Sequence, residues 1–110
     1  MRVKVSSATP QQLDWMVTYV LYGEQAHYIY KHSKVRNQYA SNWAHAGPII
    51  EGERLCIDIG HDGVWLACNK QNYDDVPEFM HAGSTTLIAA MRCFVAFRLG
   101  DEVELPEELI

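Results

Sequence analysis

The stretch that most limits the possible folds is residues 86–99, TLIAAMRCFVAFRL, a predicted helix with almost no polar side. Along its interior only Arg92 and Arg98 are polar, and Gly100 is a typical stop signal. A helix that is apolar nearly all round is buried on more than one side. In a chain of 110 residues, we expect this helix either to be sandwiched inside the domain or to form a subunit interface.

The two sides of this helix differ in the size of their side chains. The core stripe is predicted to be Leu87, Ile88, Met91, Phe94, Val95 and Leu99. The remaining side carries Ala89, Ala90, Cys93, Ala96 and Phe97. We assign Phe97 to a subunit interface, because an exposed apolar patch of this size is unusual on a monomer.

A second helix is predicted over about residues 10–22, because Thr9, Pro10 and Gln12 form a capping-box start and Gly23 a stop. Apolar residues at helical spacing are assigned to the core: Leu13, Met16, Val17, Val20 and Leu21. Aromatic residues fall on the opposite side: Trp15, Tyr19 and Tyr22. These aromatics either cover the edge of the domain or form a contact surface, and we assign them to an interface.

Strands are predicted at two places. Residues 2–5 alternate as in a half-buried strand, and residues 54–69 form a hairpin around an Asp-Gly turn at 60–63. The expected hairpin faces put Trp65 on the side toward water, which makes it a further interface candidate. The predicted fold is one α+β domain over residues 1–110, in which the hairpin and the N-terminal strand form a short antiparallel sheet packed on the two main helices.

The segments between these elements lack a clear period. Residues 24–53 are predicted to be mostly loop, with a short helix near residues 26–34 as the alternative, and residues 70–83 a second polar loop. Gly47 and Pro48 are expected to break the chain after Trp43. The stretch NWAHAGPII then forms either a pocket wall or a plug that closes the core.

Several function classes are disfavoured by composition. The net charge of −5 argues against binding of duplex DNA. No apolar run reaches the length of a membrane span, so we expect a cytoplasmic protein. The chain has three cysteines and none in a CxxC pair, so we expect small apolar residues rather than a disulfide framework or zinc site. Neither enzyme motifs nor metal-ligand spacings occur, and we predict a non-enzymatic protein without cofactor or metal.

The segment from residue 25 to residue 50 contains no acid and interleaves aromatic with basic side chains. Aromatic rings stack on nucleobases, and Lys or Arg pairs with phosphate. The ligand-binding candidates here are Lys31, Arg36, Tyr39, Asn42 and Trp43. The alternative is a solvated segment whose aromatic rings lie in the core.

The last helix adds candidates for an anionic group. Ser84 and Thr85 stand at its start, where backbone N–H groups favour an anion, although ordinary helix capping is the simpler explanation of both. Arg92 lies in mid-helix, where burial requires that its charge be answered. We expect Arg92 to meet an acid across an interface or the anionic group of a ligand, unless it lies exposed at the rim.

Several stretches together carry a family resemblance: YASNW and GPIIE at residues 39–51, TLIAAMRCFV followed by LGDEV at 86–103, and PEEL at 106–109. The chain resembles the NinX family of small tailed-phage accessory proteins, and Leu13-Asp14-Trp15 fits that family too. Asn42 stands where the family has Asp before the Trp, and Ala46 where it has a second Gly. The resemblance implies a phage gene product acting inside a bacterial cell, without an established activity or catalytic residues.

The function expected from these observations is binding of a small anionic ligand, a nucleotide or nucleotide-derived signal. In a phage setting, such binding would sequester a host defence messenger. The alternative is a protein-interaction module that inhibits or redirects a host or phage protein through the aromatic interface candidates. A homo-oligomer is expected in either case.

Overall fold

The apolar helix lies at the centre of the fold. In the computed structural model, which describes residues 1–32, 38–69 and 80–110, this helix (α4) spans Thr86–Leu99. It packs on α1, Pro10–Tyr22, and on a three-stranded sheet. Its buried residues are Leu87, Ala89, Ala90, Met91, Cys93, Phe94, Val95 and Ala96. The prediction of a sandwiched helix is confirmed, and its apolar character therefore does not by itself require a subunit interface.

The predicted helix starts are present as hydrogen bonds. Thr9 Oγ1 accepts the N–H of Gln12 at 3.2 Å, and Gln12 Oε1 accepts the N–H of Thr9 at 3.0 Å, which completes the capping box of α1. Thr85 Oγ1 accepts the N–H of Ile88 at 3.1 Å and begins α4 in the same way. None of the described helices is long and apolar enough to cross a membrane.

The described strands form two antiparallel sheets. The N-terminal strand β1, Arg2–Lys4, is present as expected, but it pairs with β5, Glu102–Glu104, rather than with the hairpin. The larger sheet has the order β2-β3-β4, with β2 at Cys56–Ile59, β3 at Trp65–Cys68 and β4 at Met80–Gly83. The α+β prediction is confirmed, and β4 corrects the end of the loop predicted at residues 70–83.

The hairpin register differs from the expected one by a single residue. Ile59 pairs with Trp65, and the loop between them closes through the N–H of Gly60, which donates to Val64 O at 2.7 Å. Since successive side chains alternate, this shift exchanges the two faces of β3. Trp65 pairs with Gly83, which faces α4, since a Cβ on Gly83 would lie 2.5 Å from the N of Ala89. Trp65 therefore lies on the side covered by α4, not on the side toward water.

Residues predicted to be mostly loop contain two helices. α2 spans Ala26–His32, as in the alternative prediction, and α3 spans Trp43–Glu53. Pro48 lies inside α3, so the predicted chain break is wrong. Proline removes the helical hydrogen bond to the carbonyl of Ala44, but Ala44 is exposed and water can satisfy that carbonyl. Arg54 caps the C-terminal end of the helix. Its φ of 54° is left-handed, and its N–H donates to the carbonyls of Ile50 and Glu51.

The buried and exposed sides of α1 differ in part from the predicted ones. Trp15 is buried, with 4% of its surface exposed, whereas Leu21 is 43% exposed. The sequence pattern missed this because α2 packs on α1 and covers part of the side that was expected to face outward. Trp15 is therefore a core residue rather than an interface residue.

Candidate functional site

The polar residues predicted to hold an anion serve as helix caps. Thr85 caps α4, and Asn42 Oδ1 accepts the N–H of Ala44 at 2.9 Å and caps α3. Ser84 lies exposed beside Thr85. The helix-capping alternative therefore accounts for Thr85, and Asn42 has the same role.

Arg92 joins three parts of the fold. Its Nη1 donates to Ala82 O in β4 at 2.9 Å, and its Nη2 donates to Ala8 O, just before α1, at 3.1 Å. Its Nε is buried and has no hydrogen-bond partner among the described residues. Burial lowers the pKa of the guanidinium. The expected partner was an acid or a ligand, but backbone carbonyls of the chain itself receive this charge, so Arg92 is a structural bridge.

The candidates from the aromatic and basic segment lie in different surroundings. Lys31 Nζ lies 4.0 Å from Glu108 Oε2, and Tyr39 is buried with 4% exposure. Trp43 is the first residue of α3 and is 56% exposed. The prediction for Arg36 falls outside the described residues. Among the candidates of this segment that the structure describes, only Trp43 and Lys31 present a large exposed side chain to a partner or ligand.

Asp14 lies beside this segment and was not among the predicted site residues. Its Oδ1 accepts the N–H of Ala40 at 2.8 Å. Burial raises the pKa of this carboxyl to about 6, against the opposing effects of the N–H of Ala40, of His45 and of the N–H of Tyr39. The Tyr39 ring lies edge-on to His45, with ring centroids 6.2 Å apart. Asp14 is a polar residue between the core residues of α1, and that position is the sequence signal that identifies it.

A mixed-charge cleft lies between the small sheet and the end of α4. It has a volume of about 660 Å³, which is within the usual range of ligand pockets. Its lining residues come from β1, the turn after it, β4 and the chain from α4 into β5: Arg2, Lys4, Ser6, His81, Leu99, Gly100, Asp101 and Glu102. We call this set the β1–β5 cleft. None of its residues was among the predicted ligand-binding candidates.

The β1–β5 cleft places cations and carboxylates side by side. Arg2 lies 3.9 Å from both Glu102 and Glu104, and all three side chains are exposed, so these pairs are weak and can open to a ligand. His81 Nε2 lies 3.9 Å from Asp101 Oδ1. Burial lowers the pKa of His81, Asp101 opposes this effect, and Arg92 adds to it. The cleft therefore offers the basic side chains of Arg2 and Lys4, the hydroxyl of Ser6 and the carboxylates of Asp101 and Glu102.

The remaining interface candidates divide into two groups. Tyr22 and Phe97 are exposed, at 48% and 42%, as an interface requires. Tyr19 is half-buried and stacks on Trp15, with ring centroids 5.3 Å apart. The Phe97 ring lies under the guanidinium of Arg98, 6.0 Å from its centre, and Arg98 also pairs with Glu53. Tyr22 and Phe97 are thus the candidates that remain accessible on α1 and α4.

Comparison with protein families gives one match over most of the chain. The family described as bacteriophage P22 NinX matches residues 4–98. This range contains α1 to α3, α4 except for its last residue, and three of the residues that line the β1–β5 cleft, Lys4, Ser6 and His81. No curated protein matches the chain.

Proposed function

The chain belongs to the bacteriophage P22 NinX family, and from that premise we propose that it is a non-enzymatic phage protein that binds and sequesters a small anionic ligand. The ligand class is a nucleotide or a nucleotide-derived signal of the host, bound in the bacterial cytoplasm. Sequestration of such a signal would make this an anti-defence protein. The observation that carries the proposal is the convergence of Arg2, Lys4, His81 and Ser6 on one cleft.

The mixed charge of the β1–β5 cleft supports a nucleotide over a simple anion. Arg2 and Lys4 can pair with phosphate oxygens, and Ser6 can donate its hydroxyl proton. Asp101 and Glu102 would repel a bare anion, but they accept hydrogen bonds from ribose hydroxyls or a base amino group. A ligand with both a phosphate and donor groups matches both halves of the cleft.

Binding is tested by melting the protein with a panel of mononucleotides, dinucleotides and cyclic nucleotides. A ligand that binds only the folded state stabilises it by about 2.7 kcal/mol at one hundred times Kd. We expect one nucleotide class to raise the melting temperature and to give a saturable 1:1 isotherm by calorimetry. If no class does so, the protein does not bind nucleotides.

The position of the site is tested with charge-neutral variants. Arg2→Met and Lys4→Met should each weaken binding about tenfold or more, the loss expected for a charge-assisted hydrogen bond. Lys31→Met is the matched control, since Lys31 is also exposed but pairs with Glu108 away from the cleft. If Lys31→Met and Trp43→Ala weaken binding while the cleft variants do not, the ligand lies at the segment predicted from the sequence instead.

A second candidate function is a protein-interaction module, and the exposure of large aromatic side chains favours it. Tyr22, Trp43 and Phe97 are 48%, 56% and 42% exposed, and aromatic residues dominate interface hot spots. For this function, Tyr22→Ser and Trp43→Ser should abolish retention of one defined protein from infected cells without lowering the melting temperature. A matched Tyr28→Ser variant changes another exposed aromatic residue, on α2, and should retain that protein.

A homo-oligomer is part of the same proposal, although fewer exposed aromatic residues now support it. The burial of α4 within the chain leaves Tyr22 and Phe97 as the exposed aromatics of the two main helices. Light scattering at micromolar concentration measures the mass directly. Phe97→Ser should lower that mass to the monomer value if α4 contributes to a symmetric contact.

A further inference from the structure

Three sulfur-bearing side chains lie in one row across the larger sheet. Cys56 on β2 pairs directly with Cys68 on β3, and Cys68 pairs directly with Met80 on β4. Residues that are directly opposite in neighbouring strands point to the same face. The row lies on the face away from α4, because Ala67 and Gly83, which alternate with these positions, face the helix and are buried.

This row forms the floor of a separate cavity. The cavity has a volume of about 480 Å³ and is lined by Cys56, Ile57, Asp58, Leu66, Ala67, Cys68 and Met80. Cys56 and Cys68 are half-buried thiols, and Met80 is 56% exposed. The sulfur atoms are therefore accessible to a solute.

The spacing of Cys56 and Cys68 suits a single metal ion. Neighbouring strands lie about 4.8 Å apart. A metal–thiolate bond of about 2.3 Å lets one ion join two sulfurs that are about 4.6 Å apart. A pair of cysteines directly opposite each other can thus hold one ion between them with only side-chain rotation.

The kinds of ligand decide which ion is favoured. Thiolate sulfurs are soft ligands that select Cu(I). Structural zinc sites have four ligands from Cys, His or carboxylate side chains, and the described residues contain no group of three or more such side chains that could hold a metal ion. Leu66 lies on the same face as the row and gives the cavity an apolar wall.

We propose that Cys56 and Cys68 form a binding site for a soft monovalent metal ion, Cu(I), on the outer face of the sheet. The two cysteines bind the ion as thiolates in a linear two-coordinate site, and Met80, one strand further along the row, is not a ligand. Each thiol releases its proton to solvent when the ion binds, and copper keeps its oxidation state throughout. Binding therefore weakens as the pH falls. This site is separate from the β1–β5 cleft and does not depend on the nucleotide proposal.

The test titrates reduced full-length protein, without oxygen, with Cu(I) acetonitrile complex against a chromophoric Cu(I) chelator. We expect one equivalent to be withheld from the chelator. Cys56→Ser and Cys68→Ser should each reduce the apparent affinity at least about tenfold, because each removes a thiolate ligand, whereas Met80→Leu should leave it unchanged. The matched control is Cys93→Ala, because Cys93 is buried in α4 and burial raises the pKa of its thiol to about 12.

A second measurement uses only the wild-type protein, so that a variant that fails to fold does not decide the outcome. Iodoacetamide labelling followed by peptide mass spectrometry reports each thiol separately. Cu(I) should protect Cys56 and Cys68 together and leave the labelling of Cys93 unchanged. The site is refuted if the chelator removes all copper from the wild-type protein, or if Cu(I) leaves Cys56 and Cys68 as reactive as before.

Discussion

The carboxylate of Asp14 accepts the backbone N–H of Ala40 at 2.8 Å, and this hydrogen bond ties α1 to the segment that leads into α3. The N–H of Tyr39 and the ring of His45 also act on this carboxylate. A charged group in mid-helix thus organises a part of the chain that the hydrophobic pattern left as loop. The position of α3 therefore depends on one polar side chain of α1.

The first prediction concerns the pH dependence of stability at Asp14. Burial raises the pKa of this carboxyl from 3.8 to about 6 in the folded protein. The folded state therefore binds the proton more tightly, and its stabilisation is complete below pH 3.8 and is lost as the pH rises through about 6. Asp14→Asn should remove this loss, which we expect to be about 1–2 kcal/mol after solvent screening.

Urea unfolding of both proteins across this pH range checks the prediction. The quantity to compare is the difference between the two unfolding free energies, because the other carboxyl groups cancel in it. The difference should grow in favour of the Asn variant as the pH rises. Parallel curves would show that Asp14 has an ordinary pKa in the folded protein.

The second prediction concerns Arg92, which the sequence suggested as a ligand or interface residue. Arg92→Met removes two hydrogen bonds from a charged donor and leaves the carbonyls of Ala8 and Ala82 without it. We expect a loss of about 2–4 kcal/mol in the free energy of unfolding, since a hydrogen bond to a charged group contributes about 1.5–3 kcal/mol. Arg92→Lys should recover part of the loss. An unchanged melting temperature for Arg92→Met would show that water replaces these bonds without cost.

The sequence allowed the regular elements to be predicted where local chemistry decides them. The capping box of α1, the Thr85 cap of α4 and the glycine stops of both helices are local signals, and both helices lie where they were predicted. The failures occur where tertiary contacts decide. A Gly-Pro pair usually breaks a helix, yet this pair lies inside α3. The Asn42 side chain caps the start of α3, and the hydrogen bond from the Ala40 N–H to Asp14 holds the chain just before it.

The candidate site was harder to predict than the fold for a physical reason. The β1–β5 cleft is built from residues near both ends of the described chain, and it forms only because β1 pairs with β5. Such a long-range pairing leaves no local pattern in the sequence. Arg92 and Thr85 were predicted to bind an anionic group. In the structure their side chains instead form hydrogen bonds with backbone groups of the chain itself.

The third prediction separates the two tryptophans of α1 and α3. Trp15 is 4% exposed and Trp43 is 56% exposed. Trp15→Ala should therefore cost about 3–5 kcal/mol of unfolding free energy, whereas Trp43→Ala should cost less than about 1 kcal/mol. Chemical denaturation of both variants under one set of conditions gives the comparison. A large loss for Trp43→Ala would place its side chain in the core and remove it from the candidate contact residues.

The fourth prediction concerns the close approach of β4 to α4 at Gly83. A Cβ at this position would lie 2.5 Å from the backbone N of Ala89 and 2.9 Å from Ile88 Cγ2. The nearest atom belongs to the backbone of a central helix and cannot move aside as a flexible side chain would. Gly83→Ala should therefore force β4 away from α4, with a loss of about 1–3 kcal/mol or more in the free energy of unfolding.

Gly52→Ala provides the matched control for Gly83→Ala. Gly52 lies in α3, and outside its chain neighbours and the backbone of its own helix no atom lies within 4 Å of the position that its Cβ would take. The same substitution should there stabilise the protein by about 0.5–1 kcal/mol, because alanine loses less conformational freedom than glycine in a helix. Thermal melting of the two variants should thus shift in opposite directions from the wild-type midpoint. If Gly83→Ala melts at or above that midpoint, β4 does not approach α4 as closely as described, and the inward position of Trp65, which pairs with Gly83, loses its support.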